Sequence, residues 1–404
     1  MSQAPNRSSL ASAALSSQQD GVWSETVPFA GTLDAILVED PVLHPFAGSV
    51  SRSHAIAIWR WVKRDLCADL LANNSPTIEQ NAADEIAGLV PEWIARIKTA
   101  LEHAETNPDT ARRLRVSLGS QDIHQQVPVI LVALRQRALL SKAQDFGRAI
   151  NAIAEDASLG SAIQSMPLQD PQLAALLFHA AVGQVANPSR VTAAIAKLAG
   201  NSTEKNVDIS GCGPVVDAML AHAQNQIHLL QSTGPFADID QTCQALERFH
   251  RLIRALTGYI EFSRGSRWSA VISALTKQVS ERIEPRLRTV LADINQSLRQ
   301  ARDGHDRLDN DRLLAAINGV YLLATIRECR DSLALNALFD QAWMQSGQAL
   351  EMHLQRNLDV LRQDNADASV LVRLEAGIKM AEVRFNPEYA ETLRRARAAA
   401  LRRV

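Results

Sequence analysis

Long apolar runs are missing from this chain: nowhere do about 18 uninterrupted apolar residues occur, which excludes an ordinary membrane-spanning helix. Charge of one sign is missing too. The formal net charge is −2, so no whole-molecule field favours nucleic acid or a membrane surface, and neither is expected as a partner. Cysteine is sparse and scattered. Cys67, Cys212, Cys243 and Cys329 form no C-x-x-C pair, so neighbours cannot build a zinc knuckle or a thioredoxin-like motif. Buried free thiols in a reducing, cytoplasmic setting are the expectation. Strand patterns are scarce, with "GTLDAILVED" near Ala35 and the short "NVDIS" the two that stand out. Two candidates cannot make the sheet of an α/β domain.

What the chain has is helix punctuation. Eight of its fifteen prolines sit where an apolar helical pattern begins: Pro76, Pro91, Pro128, Pro171, Pro188, Pro214, Pro285 and Pro387. Proline lacks an N–H and has a fixed φ, which suits the first helical turn and disrupts helix interiors. Several follow a capping residue, as in Asp170-Pro171, Asn187-Pro188 and Asn386-Pro387. Gly119, Gly200 and Gly304 fall just past periodic segments, where stops are wanted. Between these marks, Ala55, Ile58, Trp59, Val62, Leu66 and Leu70 trace one stripe, and Cys243, Leu246, Phe249, Ile253, Leu256 and Ile260 another. The expected fold is all-α, a multi-helix bundle or irregular α-solenoid.

Three regions are expected: a disordered tail over 1–28, a main helical domain over 29–300, and a helical subdomain over 305–404 of about four helices, loosely like a tetratricopeptide array. The polar run "RQARDGHDRLDNDR" would link the last two. The serine-rich, acid-poor N-terminus also resembles bacterial export signals and organelle transit peptides, which leaves an exported protein open.

One glycine turn tests the all-helical expectation. "NVDISGCGPVV" is similar to the first motif of S-adenosylmethionine-dependent methyltransferases, with Asp208, Gly211, Cys212 and Gly213 at the matching positions. The resemblance implies a strand ending at the acid and a backbone that approaches the cofactor. It departs by an inserted Ser210 and by Val215 where a further glycine is common. The flanking segments read as helices, so the expectation is a helix start at Gly213-Pro214, with Asp217 in its first turn, and no cofactor.

Other chemistry is thin. Glu247 and His250 make one Glu-x-x-His, whereas di-iron bundles need two plus further carboxylates; no metal is expected. His305-Asp306 resembles the doublet of HD phosphohydrolases but stands in the polar run. No Gly-x-Ser-x-Gly elbow is present, and no catalytic residue is assigned. The least ordinary stretch is "ERFHRLIRALTGYIEFSRGSRW". Opposite the apolar stripe, Glu247, His250, Arg251, Arg254 and Glu261 recur at three- and four-residue intervals, followed by Arg264, Arg267 and Trp268. One reading is a solvated face with intrahelical pairs such as Glu247 to Arg251. The other is an Arg-rich groove for an acidic ligand or peptide, with Gly258 admitting another backbone. Trp59 and Trp61 offer a second exposed partner site, or one tryptophan in the core and one at its edge. The arginine-rich C-terminus reads as a helix docked by Leu393 and Leu401. The functional expectation is a non-enzymatic adaptor or regulator that acts on other proteins; an S-adenosylmethionine- or metal-dependent enzyme and an exported effector are the alternatives.

Overall fold

The computed structural model describes residues 28–71, 82–230, 238–299, 308–363 and 368–402. Within them the chain is all-α. The first helices are α1 (Arg52–Trp61), α2 (Ala68–Leu71), α3 (Ala82–Thr106), α4 (Pro108–Leu118), α5 (Gln121–Arg135), α6 (Arg137–Ile150), α7 (Asp156–Gln164) and α8 (Pro171–Val182). They continue as α9 (Pro188–Leu198), α10 (Glu204–Ile209), α11 (Gly213–Leu229), α12 (Ile239–Tyr259) and α13 (Arg267–Leu298). Last come α14 (Asn310–Cys329), α15 (Asn336–Leu361), α16 (Ala368–Arg384) and α17 (Pro387–Leu401). Two-residue strands, β1 (Leu37–Val38) and β2 (Val50–Ser51), pair in parallel, so "GTLDAILVED" supplies only a fragment of sheet. The tail as far as residue 27, Gly304, and His305-Asp306 with most of the expected linker lie outside the described residues.

Prolines mark helix starts less uniformly than expected. Pro171, Pro188 and Pro387 open α8, α9 and α17, Pro214 is the second residue of α11, and Pro76 lies outside the described residues. Pro91, Pro128 and Pro285 instead sit inside α3, α5 and α13. All three are exposed, and on the outer side of a helix a missing hydrogen bond costs least because solvent can reach the carbonyl left without a donor. The actual start of α5 is set by Ser120, whose hydroxyl accepts from the Ile123 N–H at 3.2 Å. Gly119 (φ 95°) and Gly200 (φ 78°) do adopt left-handed conformations just past α4 and α9.

Contacts divide the chain into two units. The first runs to Asn187 and adds 197–200 and 205–221; the second holds 188–196, 201–204 and the chain from His222 onward. The core of the first unit includes α8, buried continuously from Ala174 to Val182. Gly48 and Gly147 let backbone reach it: a Cβ at either would lie 2.3 Å from Ala175 or 2.2 Å from Ala181 backbone oxygen. Phe29, Trp59 and Trp93 stack edge to face, with Trp59 5.0 Å from each of the others. Trp61 is 4% exposed and Trp59 9%, so neither forms the exposed partner site considered from the sequence. Their rings fill this core because α1 is apolar on more than one side.

In the second unit α13 packs on α14, α15 and α16. Its C-terminal carbonyls, which no helix can satisfy internally, are met from neighbouring helices. Arg373 Nε donates to Ser297 O at 3.2 Å and Asn357 Nδ2 to Leu298 O at 3.4 Å. At the chain end Leu393 is buried, but Leu401 is 46% exposed and does not dock α17. The terminal arginines find acids on α16 and α17: Arg397 pairs with Glu375, Arg394 with Glu382, and Arg395 with Glu391 at 3.5 Å.

Candidate partner-binding face

α12 begins at Asp238, whose carboxylate accepts from the Gln241 N–H at 3.0 Å. Leu246, Phe249, Leu252, Ile253, Ala255 and Leu256 bury one side of it, which turns Glu247, Arg251 and Arg254 to solvent. The expected Glu247–Arg251 ion pair does not form; Arg251 Nε donates to the Glu247 carbonyl at 3.4 Å. Arg251, Arg254 and Arg264 enter no ion pair among the described residues. An added Cβ at Gly258 would meet nothing within 4 Å, so the helix backbone is open there.

His250 belongs to the support of this face. It is half-buried, and its Nδ1 lies 2.9 Å from Ser332 Oγ in the 3₁₀ turn Arg330–Ser332. Burial holds its pKa below the ordinary imidazole value, Arg254 adds to that, and Asp331 opposes it. The inward-turned Arg248 has its pKa pushed down to about 10 by burial and by Arg251. Glu261 is also structural: its backbone bridges Thr203, and its carboxylate accepts from Ser202 Oγ at 2.8 Å. Arg264 and Arg267 are exposed on either side of Gly265, where Ser266 caps α13. Trp268 is 5% exposed, edge to face with Phe262 at 6.3 Å, and so underlies the surface.

A second cluster, unsuspected from the sequence, shares the 330–332 turn. Arg330 lies over Phe339 and Arg327 over Trp343, with the guanidinium carbons 5.8 and 5.1 Å from the ring centroids. The buried Arg384 stacks 3.5 Å from the Trp343 centroid and donates Nη2 to Trp343 O at 2.5 Å. Burial pushes its pKa down to about 10, with Arg327 adding to the effect and Glu351 opposing it. Phe339, Trp343 and Gly347 recur every four residues on α15, the one sequence signal for this stack. Gly347 is needed because a Cβ there would stand 2.9 Å from Arg384 Nη2.

The glycine turn has no strand beneath it. "NVDIS" lies in and just after α10; Gly211 takes φ 79° and donates to Asp208 O at 3.0 Å, and Cys212 donates to Val207 O at 3.1 Å. That is a helix ending in a left-handed glycine before α11 begins, not the cradle of the methyltransferase motif. Asp217 lies past the first turn of α11 and is buried, which corrects its expected dipole role. Burial raises the thiol pKa of Cys67, Cys212, Cys243 and Cys329, the last to about 12, so all four stay protonated near neutrality. No group of three or more His, Cys, Asp or Glu suited to a metal occurs among the described residues, and no helix among them is long and apolar enough to cross a membrane. Compared with known proteins, the chain matches no family, no curated protein and no solved structure, so the reading of this face rests on its own geometry.

Proposed function

We propose that the chain is a non-enzymatic adaptor or regulatory protein that holds an acidic protein segment against the exposed side of α12. The observation that carries this is the pair Arg251 and Arg254: three residues apart, exposed and free of ion pairs. Several other arginines of the same unit are matched, as in Arg288–Glu284, Arg327–Glu328 and Arg394–Glu382. Two unmatched guanidinium forks offer bidentate bonds to carboxylates, and His250–Ser332 fixes the helix that presents them. Arg264 and Arg267 extend the same charge past the helix end.

The probe is a fluorescein-labelled poly-glutamate peptide, followed by anisotropy on the full chain. Saturable binding that weakens as salt rises is expected, with a loss of about tenfold or more in Arg251→Glu/Arg254→Glu. Both side chains are exposed, so the thermal melt of the variant should match the wild type. Equal affinity in the double variant, or no saturable binding at low salt, overturns the reading.

A further inference from the structure

The outward face of α15 has residues that read nearly alike in both directions. Gln348 is its midpoint. Seven residues to either side stand Gln341 and Gln355, and four to either side Met344 and Met352; three to either side stand Gln345 and Glu351. Met344 is 56% and Met352 41% exposed, large apolar side chains left in water. At about 100° per residue all these positions fall within about 60° of the line through Gln348. The opposite side, from Ala342, Ser346 and Ala349 to His353 and Asn357, is buried in the unit.

We propose that this face is a twofold interface, on which α15 of a second copy of this chain lies antiparallel with Gln348 at the axis. A twofold contact demands a surface complementary to itself, and a pattern symmetric about its midpoint meets that demand. Antiparallel pairing sets each Met344 level with the other copy's Met352 and each Gln341 level with Gln355. Charge selects the direction. At one end of the face stands Asp340, which Arg330 of the same chain approaches at 3.6 Å, and at the other Arg356, which enters no ion pair among the described residues. Antiparallel copies bring the Asp340 end of one level with the Arg356 end of the other and oppose the two helix dipoles, whereas parallel copies would set Asp340 beside Asp340 and Glu351 beside Glu351. Methionine suits such a seam because its unbranched side chain adapts to a facing helix. The contact spans about 24 Å of helix, the size of a weak interface, and its dissociation constant belongs at about micromolar.

Sedimentation velocity on the full chain, from about 1 to about 100 μM, should show a monomer passing to a dimer. Met344→Lys/Met352→Lys should hold the chain monomeric over the same range with an unchanged melt, since both side chains are exposed. Cross-linking reads the axis itself. At an interaxial distance of about 8–10 Å the two copies of residue 348 come within disulfide reach. In Gln348→Cys, a thiolate of one copy displaces glutathione from added oxidised glutathione, and the other copy's thiolate resolves that mixed disulfide, leaving a covalent dimer and two reduced glutathiones. Lys277→Cys, 75% exposed on α13, is the control that should stay monomeric on a non-reducing gel. A wild-type chain that remains monomeric throughout overturns the proposal. So does a dimer that survives the methionine double variant, or cross-linking no faster at 348 than at 277.

Discussion

The glycines of the two units do different jobs. In the first unit Gly48, Gly147 and Gly211 each face backbone: an added Cβ would come 2.3 Å from Ala175, 2.2 Å from Ala181 and 3.1 Å from Leu168 carbonyl oxygen. In the second, Gly319, Gly347 and Gly377 face side chains, those of Val290, Arg384 and Leu354. Backbone cannot move without its helix, whereas a side-chain end can rotate. The first unit is thus spaced by main-chain contact and the second by side chains, many of them polar, such as Arg373, Arg384, His353 and Asn357.

A matched pair of substitutions tests that contrast. Gly147→Ala drives a methyl into Ala181 of α8 and should destabilise by about 3 kcal/mol or more. Gly377→Ala meets Leu354 Cδ2 at 2.8 Å, the free end of a flexible chain, and should cost about 1 kcal/mol or less once the gain in helix propensity is included. Urea unfolding followed by circular dichroism measures both. Equal losses would erase the distinction.

These contacts also show where sequence legibility ends. Helix identity was readable because caps and apolar stripes act within a few residues: Asp170 and Asn386 each cap the helix they precede. Interior Pro91, Pro128 and Pro285 misled because the cost of a missing hydrogen bond depends on which face carries it, and the face is settled by tertiary packing. Gly147 and Ala181, or Trp343 and Arg384, lie dozens of residues apart, and no local pattern reports their meeting. On α12 the exposed Arg251 and Arg254 followed directly from the stripe. His250, Glu261 and Trp268 did not, because their partners Ser332, Ser202 and Phe262 come from other elements.

The polar interior of the second unit has a smaller, pH-dependent consequence. His353 is buried with Nε2 2.9 Å from Asn295 Oδ1, and burial lowers its pKa from 6.5, with Arg356 and Arg299 adding to the effect; His250 shifts the same way. The unfolded chain therefore takes up protons first as pH falls. Stability is fully present above about pH 6.5 and is lost as pH drops through the folded-state values. His353→Gln should flatten the fall in urea midpoint between about pH 7.5 and about pH 5.5. His124 in the first unit is lowered as well, by burial and Arg115, so part of the slope should remain. A slope untouched by His353→Gln would remove this residue from the account.

The smallest effect sharpens the comparison most, because it concerns a glycine that faces neither backbone nor side chain. Gly258 lies one residue before the end of α12, exposed, with open space where its Cβ would be. Alanine there should stabilise the folded chain by about 0.5–1 kcal/mol, since alanine loses less backbone freedom in a helix. If a partner backbone lies along Arg251 and Arg254, the same methyl intrudes on it, and poly-glutamate should bind Gly258→Ala more weakly although the protein melts higher. Gly147→Ala fails for a reason internal to the chain; Gly258→Ala should fail only when something is bound. A higher melt with unchanged anisotropy would show that the acidic segment touches the arginine forks alone and leaves the backbone at Gly258 uncovered.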